Sequence, residues 1–120
     1  MKDSKLQNRP FAPIRARVET EQPLSEKQIE QKLVEVVRGK GGRALKFVSP
    51  GFAGVPDRIV LLPGGRMAFV ELKAPDQKMR PLQMRRKRQL EILGFRVFCI
   101  DSTNQIEEIL SDIGNGGKAE

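Results

Sequence analysis

Apolar residues follow two spacings along this chain, and their alternation predicts the order of secondary structure. Spacings of three and four residues indicate amphipathic helices, whereas short apolar runs bounded by glycine or proline indicate strands. The resulting order is helix, strand, strand, strand, helix, strand, helix, which predicts a mixed α/β sandwich with helices on the faces of a central sheet. The predicted elements are a helix from Ser25 to about Gly39–Gly42, strands Arg43–Val48, Arg58–Leu62 and Arg66–Val70, a helix Pro81–Leu93, a strand Phe95–Ile100 and a short helix from Ser102 to Leu110.

The first helix has a full set of start signals. Ser25 is the expected N-cap, Gln28 completes a capping box with it, and Leu24 and Ile29 are expected to form a hydrophobic staple. The glycines that follow the last apolar position are typical of a helix end. The buried stripe of this helix is expected to comprise Ile29, Leu33, Val36 and Val37.

The later helices are marked mainly by their ends. Pro81 suits the first position of the second helix, and Gly94 follows its last turn. In the third helix, Ser102 is the expected N-cap and Gln105 its capping-box partner. The buried side of the second helix is expected to comprise Leu82, Leu90 and Leu93.

The two ends of the chain differ from the middle. Residues 1–23 contain three prolines, five basic residues and few core formers, so a flexible basic arm is expected there. Residues 114–120 are rich in glycine and are expected to form a disordered tail. The remaining residues, 24–113, are expected to form one domain with a modest core.

Composition restricts the chemistry that the chain can perform. It contains no histidine, which excludes a histidine general base and histidine-ligated zinc, so hydrolysis would depend on carboxylates, lysine and a hard metal ion. Its single cysteine, Cys99, is expected to be a small buried apolar residue of the last strand. No apolar run approaches the ~18–20 residues that cross a bilayer, and residues 1–21 lack the apolar stretch of a signal peptide. A soluble, intracellular protein without a membrane partner is therefore expected.

The net charge of +7 is unevenly distributed. Between Lys78 and Arg96 there are seven basic residues and one acid, whereas residues 101–120 carry five acids and one lysine. A basic stripe suits a polyanionic partner, because binding to phosphates releases counterions. The alternative interpretation is a solvated helix face on which the charge serves only solubility.

Three charged residues lie on or beside short apolar runs in the middle of the chain, namely Asp57, Glu71 and Lys73. Side chains alternate across a strand, so Glu71 and Lys73 are expected on one face. A tight reversal at residues 62–66 would pair the second and third strands and bring Asp57 towards the other two residues. The two carboxylates and the carbonyl of Leu72 would suit Mg²⁺. The alternative is that Asp57 is a turn residue and that Glu71 and Lys73 form a surface pair.

The loop before Asp57 contains two glycines, Gly51 and Gly54. Glycine permits the backbone to approach another group closely, so either residue would allow contact with a phosphate. Both glycines would equally satisfy a turn alone, and the sequence leaves these two interpretations open.

These residues resemble a known signature. Pro56-Asp57 followed by Glu71-Leu72-Lys73 resembles the PD-(D/E)xK nuclease motif. The longer run Ser49–Arg58 (SPGFAGVPDR), together with Phe69–Pro75 (FVELKAP) and Arg80–Gln83 (RPLQ), resembles the stand-alone VRR-NUC domains of phages and prophages. The short motif is common, but the three runs at family spacings are specific, and the resemblance extends from about residue 24 to residue 110.

The resemblance implies a restriction-endonuclease-like αβββαβ core and a metal-dependent active site. It implies that Asp57, Glu71 and the backbone carbonyl of Leu72 hold Mg²⁺ or Mn²⁺. Lys73 would orient or help to deprotonate the attacking water, or neutralise the developing negative charge, and these roles stay open. Gln83 corresponds to a family glutamine near the active centre, where it would hold water or phosphate.

A further acid is expected from the first helix. Glu30 lies at the edge of the apolar stripe, eleven residues before Gly41, and this spacing resembles that of the first-helix glutamate in archaeal Holliday-junction resolvases of the same superfamily. It would bind a metal-coordinated water or a second ion. Glu26, one turn earlier, is the rival, although an acid in a first helical turn also simply complements the helix dipole.

The function implied by the resemblance is that of a structure-selective endodeoxyribonuclease, acting as a homodimer on branched DNA such as Holliday junctions in the cytoplasm of a bacterial host. No small-molecule organic cofactor is implied. A flap, single-strand or less selective nuclease, a non-catalytic nucleic-acid-binding protein and an RNA-processing factor stay open as alternatives. The residues expected to contact DNA are Lys78, Arg80, Arg85, Arg86, Lys87 and Arg88.

Overall fold

The order of elements matches the predicted one. The computed structural model describes residues 24–115, so the predicted arm at 1–23 and the last five residues of the predicted tail lie outside the described residues. The αβββαβ order and the mixed α/β class are confirmed. The elements are α1 (Glu26–Gly39), β1 (Arg43–Lys46), β2 (Arg58–Leu62), β3 (Arg66–Leu72), α2 (Pro81–Ile92), β4 (Val97–Ile100), a 3-10 turn (Thr103–Gln105) and α3 (Ile106–Gly114).

The helix starts form as their sequences indicate. The N–H of Ser25 donates to Gln28 Oε1 at 2.8 Å, and the N–H of Gln28 donates to Ser25 Oγ at 3.1 Å, which confirms the predicted capping box. Ser102 and Gln105 form a second capping box before α3. This last helix continues to Gly114, four residues beyond its predicted end at Leu110. None of the helices between residues 24 and 115 has the length and apolarity of a bilayer-crossing segment.

The sheet has the strand order β1-β2-β3-β4, with β1, β2 and β3 antiparallel and β4 parallel to β3. The predicted hairpin is confirmed, since Arg58 pairs with Val70 and Leu62 pairs with Arg66. Strand β3 extends two residues beyond Val70, to Leu72. Glu71 and Leu72, the last residues of β3, pair only with β4. Their other edge, which faces the start of β2, is therefore open to Asp57.

One face of the sheet, which we call the aliphatic face, contains the core of the domain. Side chains of all four strands point from it toward α1 and α3, and the resulting cluster is almost wholly shielded from solvent. Aliphatic side chains of this kind contribute most of the free energy of folding, because each removes a large apolar area from water. The core residues are Ala44, Val60, Ala68, Val70, Leu72 and Ile100 from the sheet, Ile29, Leu33 and Val37 from α1, and Ile106, Ile109, Leu110 and Ile113 from α3.

The opposite face, which we call the open face, has much thinner cover. Phe69 packs against the rings of Phe47 and Phe95 at centroid distances of 5.4 and 5.8 Å. Beyond this aromatic group, Leu45 and Leu61 remain 46% and 39% exposed. The open face also carries Glu71, Lys73 and Cys99, so the charged residues of the sequence motif lie away from the aliphatic core.

Two predictions about burial are wrong, and both concern the open face. Leu82 and Leu93 are 41% and 70% exposed, and the buried residue of α2 is Gln83, because this basic helix has no continuous apolar stripe and docks through polar contacts. Cys99 is exposed rather than buried. Its strand, β4, ends the described sheet, and its register partner Glu71 places it on the thinly covered side.

Candidate active site

Asp57 connects the ends of two strands. Its carbonyl accepts a hydrogen bond from the N–H of Phe47 at 2.9 Å, which extends the pairing of β1 and β2 by one step. Its side-chain Oδ2 accepts from the N–H of Leu72 at 2.8 Å. Asp57 therefore takes the place of a strand partner for the end of β3. This contact fixes the Asp57 carboxylate beside the residues that flank Leu72. It rules out the alternative that Asp57 is only a turn residue.

Glu71 is a buried carboxylate with one unpaired oxygen. Its side chain is 2% exposed. Its Oε2 accepts a hydrogen bond from Gln83 Nε2 and lies 3.6 Å from Lys73 Nζ. Its Oε1 has no hydrogen-bond partner among the described residues. Buried polar atoms are nearly always paired, because an unpaired one loses its contacts with water without compensation. The unpaired oxygen therefore indicates that Glu71 has a further partner in the working protein.

The proton affinity of Glu71 reflects this burial. The pKa of its carboxyl group is raised from 4.5 to about 7, mainly by desolvation and next by the charge of Asp57. Lys73 acts in the opposite direction through its charge and its hydrogen bond, and Glu26 adds a small increase. A carboxylate whose charge raises the proton affinity of Glu71 is close enough to share a cation with it, which would offset their repulsion.

Lys73 is held on the same face as Glu71. Its N–H donates to the carbonyl of Ile100 at 2.9 Å, so the strand pairing continues through this residue. The Lys73 side chain is 13% exposed, which leaves its ammonium group at the boundary between the buried carboxylate and solvent. The predicted cluster of Asp57, Glu71 and Lys73 is thus present, and the surface-pair alternative is excluded by the burial of Glu71.

The oxygen atoms at this site fit a hard divalent ion. In an extended strand the N–H and the C=O of one residue point to the same side, so the Leu72 carbonyl lies on the side where Leu72 binds Asp57. Among residues 24–115 there is no group of three or more His, Cys, Asp or Glu side chains arranged to hold a metal. Any such ion would therefore depend on two carboxylates, a backbone carbonyl and water, which is a donor set that Mg²⁺ accepts. The unpaired Oε1 of Glu71 provides a free ligand position.

Gln83 links α2 to the buried carboxylate. Its Oε1 accepts from the N–H of Arg80 at 2.9 Å, which satisfies one free N–H at the start of the helix. The side-chain amide is thereby oriented so that Nε2 donates to Glu71. Gln83 is 7% exposed, so it is not the surface glutamine that the sequence also allowed.

The two acids of the first helix occupy different surroundings. Glu30 Oε2 lies 2.7 Å from Arg58 Nε and 3.5 Å from Lys46 Nζ. Arg58 is the register partner of Val70, so this ion pair lies on the aliphatic side of the sheet. The structure does not bring Glu30 to Glu71. Glu26 is the first-helix acid whose charge acts on Glu71, which the sequence motif alone did not favour.

The basic residues of α2 and the preceding loop divide into two groups. Arg86 donates from Nε to the carbonyl of Ala53 at 2.6 Å, and Lys87 pairs with Glu91 at 2.7 Å, so both have partners within the protein. The other predicted DNA contacts are exposed and have no acidic partner among residues 24–115. These unpaired cations are Lys78, Arg80, Arg85 and Arg88.

The loop before Asp57 is fastened to α2. Gly54 has φ +89°, and a Cβ atom at this position would lie 2.7 Å from Leu82 Cγ. The group that the backbone of Gly54 approaches closely is therefore α2. A side chain at this position would strain the backbone and clash with Leu82. Gly51 has open space around it and no positive φ, so the fold does not require glycine there. Only one of the two predicted glycine positions is needed for the structure.

Comparison with known proteins identifies the family. No family model matches the chain. A protein named "Putative nuclease p44", from Acyrthosiphon pisum secondary endosymbiont phage 1, is 52% identical over 79 residues, which cover 66% of this chain and 85% of that protein. A solved structure described as a VRR_NUC domain superposes with a TM-score of 0.67 at 30% identity, over 72% of this chain and 94% of the other. The chain therefore belongs to the VRR-NUC family of nucleases, as its sequence motifs predict.

Proposed function

We propose that this chain is a metal-dependent endonuclease that hydrolyses phosphodiester bonds in DNA. The observation that carries the proposal is the buried carboxylate of Glu71, whose Oε1 has no partner in the described part of the chain and whose neighbours are Asp57 and Lys73. Buried carboxylate oxygens with a purely structural role are nearly always paired. Membership of a nuclease family supports the same interpretation.

The residues that would hold Mg²⁺ or Mn²⁺ are Asp57, Glu71 and the carbonyl of Leu72. A bound ion would supply Lewis acidity, which lowers the pKa of water and stabilises negative charge at phosphorus. The expected role of Glu30, to bind a metal-coordinated water or a second ion, stays a prediction. The ion pair between Glu30 and Arg58 favours Glu26 as the acid that approaches the site from α1.

The protein side chains around this centre have separate tasks. Lys73 lies at the solvent boundary and would orient the attacking water or neutralise charge on the phosphate in the transition state. Gln83 holds Glu71 in one orientation, because its amide is itself fixed by Arg80. Burial excludes competing water around Glu71, which strengthens the electrostatic contacts inside the site.

The exposed cations would hold the phosphate backbone on either side of the cleaved bond. Lys78 and Arg80 lie on the segment that follows Lys73, and Arg85 and Arg88 lie on α2. Such contacts give affinity without sequence preference, because every nucleotide presents the same phosphate. This fits an enzyme that selects DNA by structure. We propose branched DNA as the preferred substrate and a homodimer as the active form, since two related sites would cut two equivalent strands of a junction.

A substrate panel tests the proposal. Purified protein is incubated with Mg²⁺ or Mn²⁺ and with labelled linear, splayed, flap and four-way DNAs, and Glu71→Ala is assayed in parallel to exclude a contaminating nuclease. We expect cleavage by the wild type, faster on the branched substrates, and none by the variant. No cleavage of any DNA, or equal cleavage by Glu71→Ala, would contradict the proposal. Matched RNA substrates in the same assay distinguish a DNA enzyme from an RNA-processing factor.

A further inference from the structure

Phe52 is an exposed aromatic side chain on the loop that leads to Asp57 of the candidate active site. It lies five residues before Asp57 in the loop that leads to β2, and 40% of the residue is exposed. The guanidinium carbon of Arg86 lies 3.8 Å from the centre of its ring, which is close cation–π contact. Because Arg86 covers one face of the ring, the exposed area belongs to the other face and the edges.

The loop that carries Phe52 is held at three points. The N–H of Phe52 donates to the carbonyl of Ser49 at 3.0 Å, which closes a turn. The carbonyl of Ala53 accepts from Arg86 Nε at 2.6 Å, and Gly54 packs against Leu82. The ring is therefore presented to solvent by a fixed backbone, and binding a partner on it would require little ordering.

The charges around Phe52 indicate the chemistry of that partner. Arg85 and Arg88 lie beside Leu82, the residue of α2 that contacts the Phe52 loop at Gly54, and both are exposed and have no acidic partner within residues 24–115. Together with Pro81 and Leu82 they line a cavity of about 330 Å³. An aromatic face beside unpaired cations is the combination that binds single-stranded nucleic acid, where bases stack on rings and cations hold phosphates.

We propose that the free face of Phe52 is a stacking platform for an unpaired nucleobase of the substrate. This inference rests on the proposed nuclease function and narrows its substrate class to branched DNA with at least one unpaired nucleotide near the cleaved bond, as in splayed and flap DNAs. A four-way junction would fit only with a base pair opened at its branch point. Bases inside a continuous duplex are already stacked on their neighbours and are not available to the ring. Arg86 has a dual task, since it supports the ring from behind and ties the loop to α2.

The chain offers a direct probe of this contact, because it contains no tryptophan and no tyrosine. Phe52→Trp places a unique fluorophore in the platform. The variant is titrated with splayed DNA and with blunt duplex, with Ca²⁺ replacing Mg²⁺ to allow binding while suppressing hydrolysis. We expect quenching of the tryptophan emission by splayed DNA and little change with duplex. Unchanged emission on binding of splayed DNA would overturn the proposal.

Affinity gives the second readout. Because a base stacked on a ring contributes to binding, Phe52→Ala should bind splayed DNA about tenfold more weakly than the wild type. Its affinity for blunt duplex should change less than about twofold. Phe52→Leu keeps apolar bulk without a ring and should behave like the alanine variant, whereas Phe52→Trp should keep wild-type affinity. Ile92→Ala, at a residue 77% exposed at the far end of α2, is the matched control and should bind both DNAs normally.

The outcomes separate this inference from the function on which it rests. An equal loss for both DNAs in Phe52→Ala, with unchanged thermal unfolding, would show a general contact and overturn the stacking platform. Cleavage is measured separately with Mn²⁺ and with Asp57→Asn as the inactive reference. If Phe52→Trp emission is quenched by splayed DNA but no DNA is cleaved, the proposed nuclease function is refuted and the stacking platform is retained. If DNA is cleaved but the emission is not quenched, the stacking platform is refuted and the nuclease function is retained.

Discussion

The two faces of the sheet differ in what they contain and in what they leave unsatisfied. The aliphatic face is covered by α1 and α3, and its core residues are at most 8% exposed. The open face is covered partly by α2, whose one buried residue is the polar Gln83. On the aliphatic side apolar groups are packed and polar groups paired, whereas the open side contains a buried carboxylate oxygen without a partner.

The difference shows how a small domain can combine stability with a candidate active site. Aliphatic burial on one side supplies the free energy of folding, so the other side tolerates Glu71, whose burial is unfavourable when it is ionised. The same strand serves both purposes, because alternate residues of β3 point to opposite faces. Leu72 belongs to the core, and its two neighbours in sequence belong to the site.

The largest effect is expected from Lys73→Met. Loss of the ammonium would remove a positive charge from the proposed position of the phosphate, so cleavage should fall at least about 100-fold. The fold and DNA binding should be largely retained, since Lys73 lies on the open face and outside the aliphatic core. Cleavage rates and circular dichroism are compared with those of the wild type. Turnover near the wild-type rate would remove Lys73 from the mechanism.

A pair of truncations tests the contrast in packing. Leu33→Ala on the aliphatic side removes a fully buried side chain and should lower the free energy of unfolding by about 2–5 kcal/mol. Ile92→Ala on α2, which is 77% exposed, should change it by less than about 0.5 kcal/mol. Urea unfolding measures both. Similar losses in the two variants would mean that the open side contributes more to stability than its exposure indicates.

The dependence of stability on pH should reveal Glu71. Its pKa is about 7 in the folded protein and near 4.5 when unfolded, so the folded state binds more protons between these values. The free energy of unfolding contributed by this group therefore falls as pH rises from 4.5 to 7. Glu71→Gln removes that loss, and we expect the metal-free variant to be about 1–3 kcal/mol more stable than the wild type at pH 8.

Urea unfolding in EDTA at several pH values checks this expectation. At pH 4, where both the wild-type carboxyl and the amide are neutral, the two proteins should have nearly equal stability. Parallel pH profiles for the two proteins would contradict the account of Glu71 as a destabilising buried carboxylate.

A smaller effect is expected from Gly54→Ala. The positive φ and the contact with Leu82 should together cost about 1–2 kcal/mol of stability, and the loop that positions Asp57 should shift. Gly51→Ala is the control, because space is open there. Cleavage and urea unfolding are measured for both variants. Equal behaviour of the two would show that Gly54 does not fasten the loop to α2.

The sequence was sufficient for elements whose signals are local. Ser25 and Gln28 specify the start of α1 through a capping box, and the reversal near Gly64 specifies the hairpin. Strand alternation predicts that Glu71 and Lys73 share one face, and the hairpin predicts that Asp57 lies near them. These features depend on residues close in sequence or on a period of two.

The errors arose where burial depends on distant parts of the chain. Leu82 and Leu93 have the spacing of a buried stripe, but α2 docks through Gln83, and the packing partner of a helix is not encoded in its own sequence. Cys99 has apolar residues on both sides within its strand, yet it is exposed, because this strand lies at the edge of the described sheet. Glu30 shows the same dependence on distant parts of the chain, because its partner Arg58 lies 28 positions away in sequence, and the choice between Glu30 and Glu26 stays a prediction.

The central claim is that Asp57 and Glu71 on the open face share a divalent cation, and calorimetric titration with Mn²⁺ tests it most directly. The wild type should bind Mn²⁺, and Asp57→Asn and Glu71→Gln should each weaken binding at least about tenfold, because each removes a carboxylate ligand. Glu107→Gln, at an exposed acid of α3 that pairs with Lys40, should bind like the wild type. Equal binding by all four proteins, or none by the wild type, would contradict the claim.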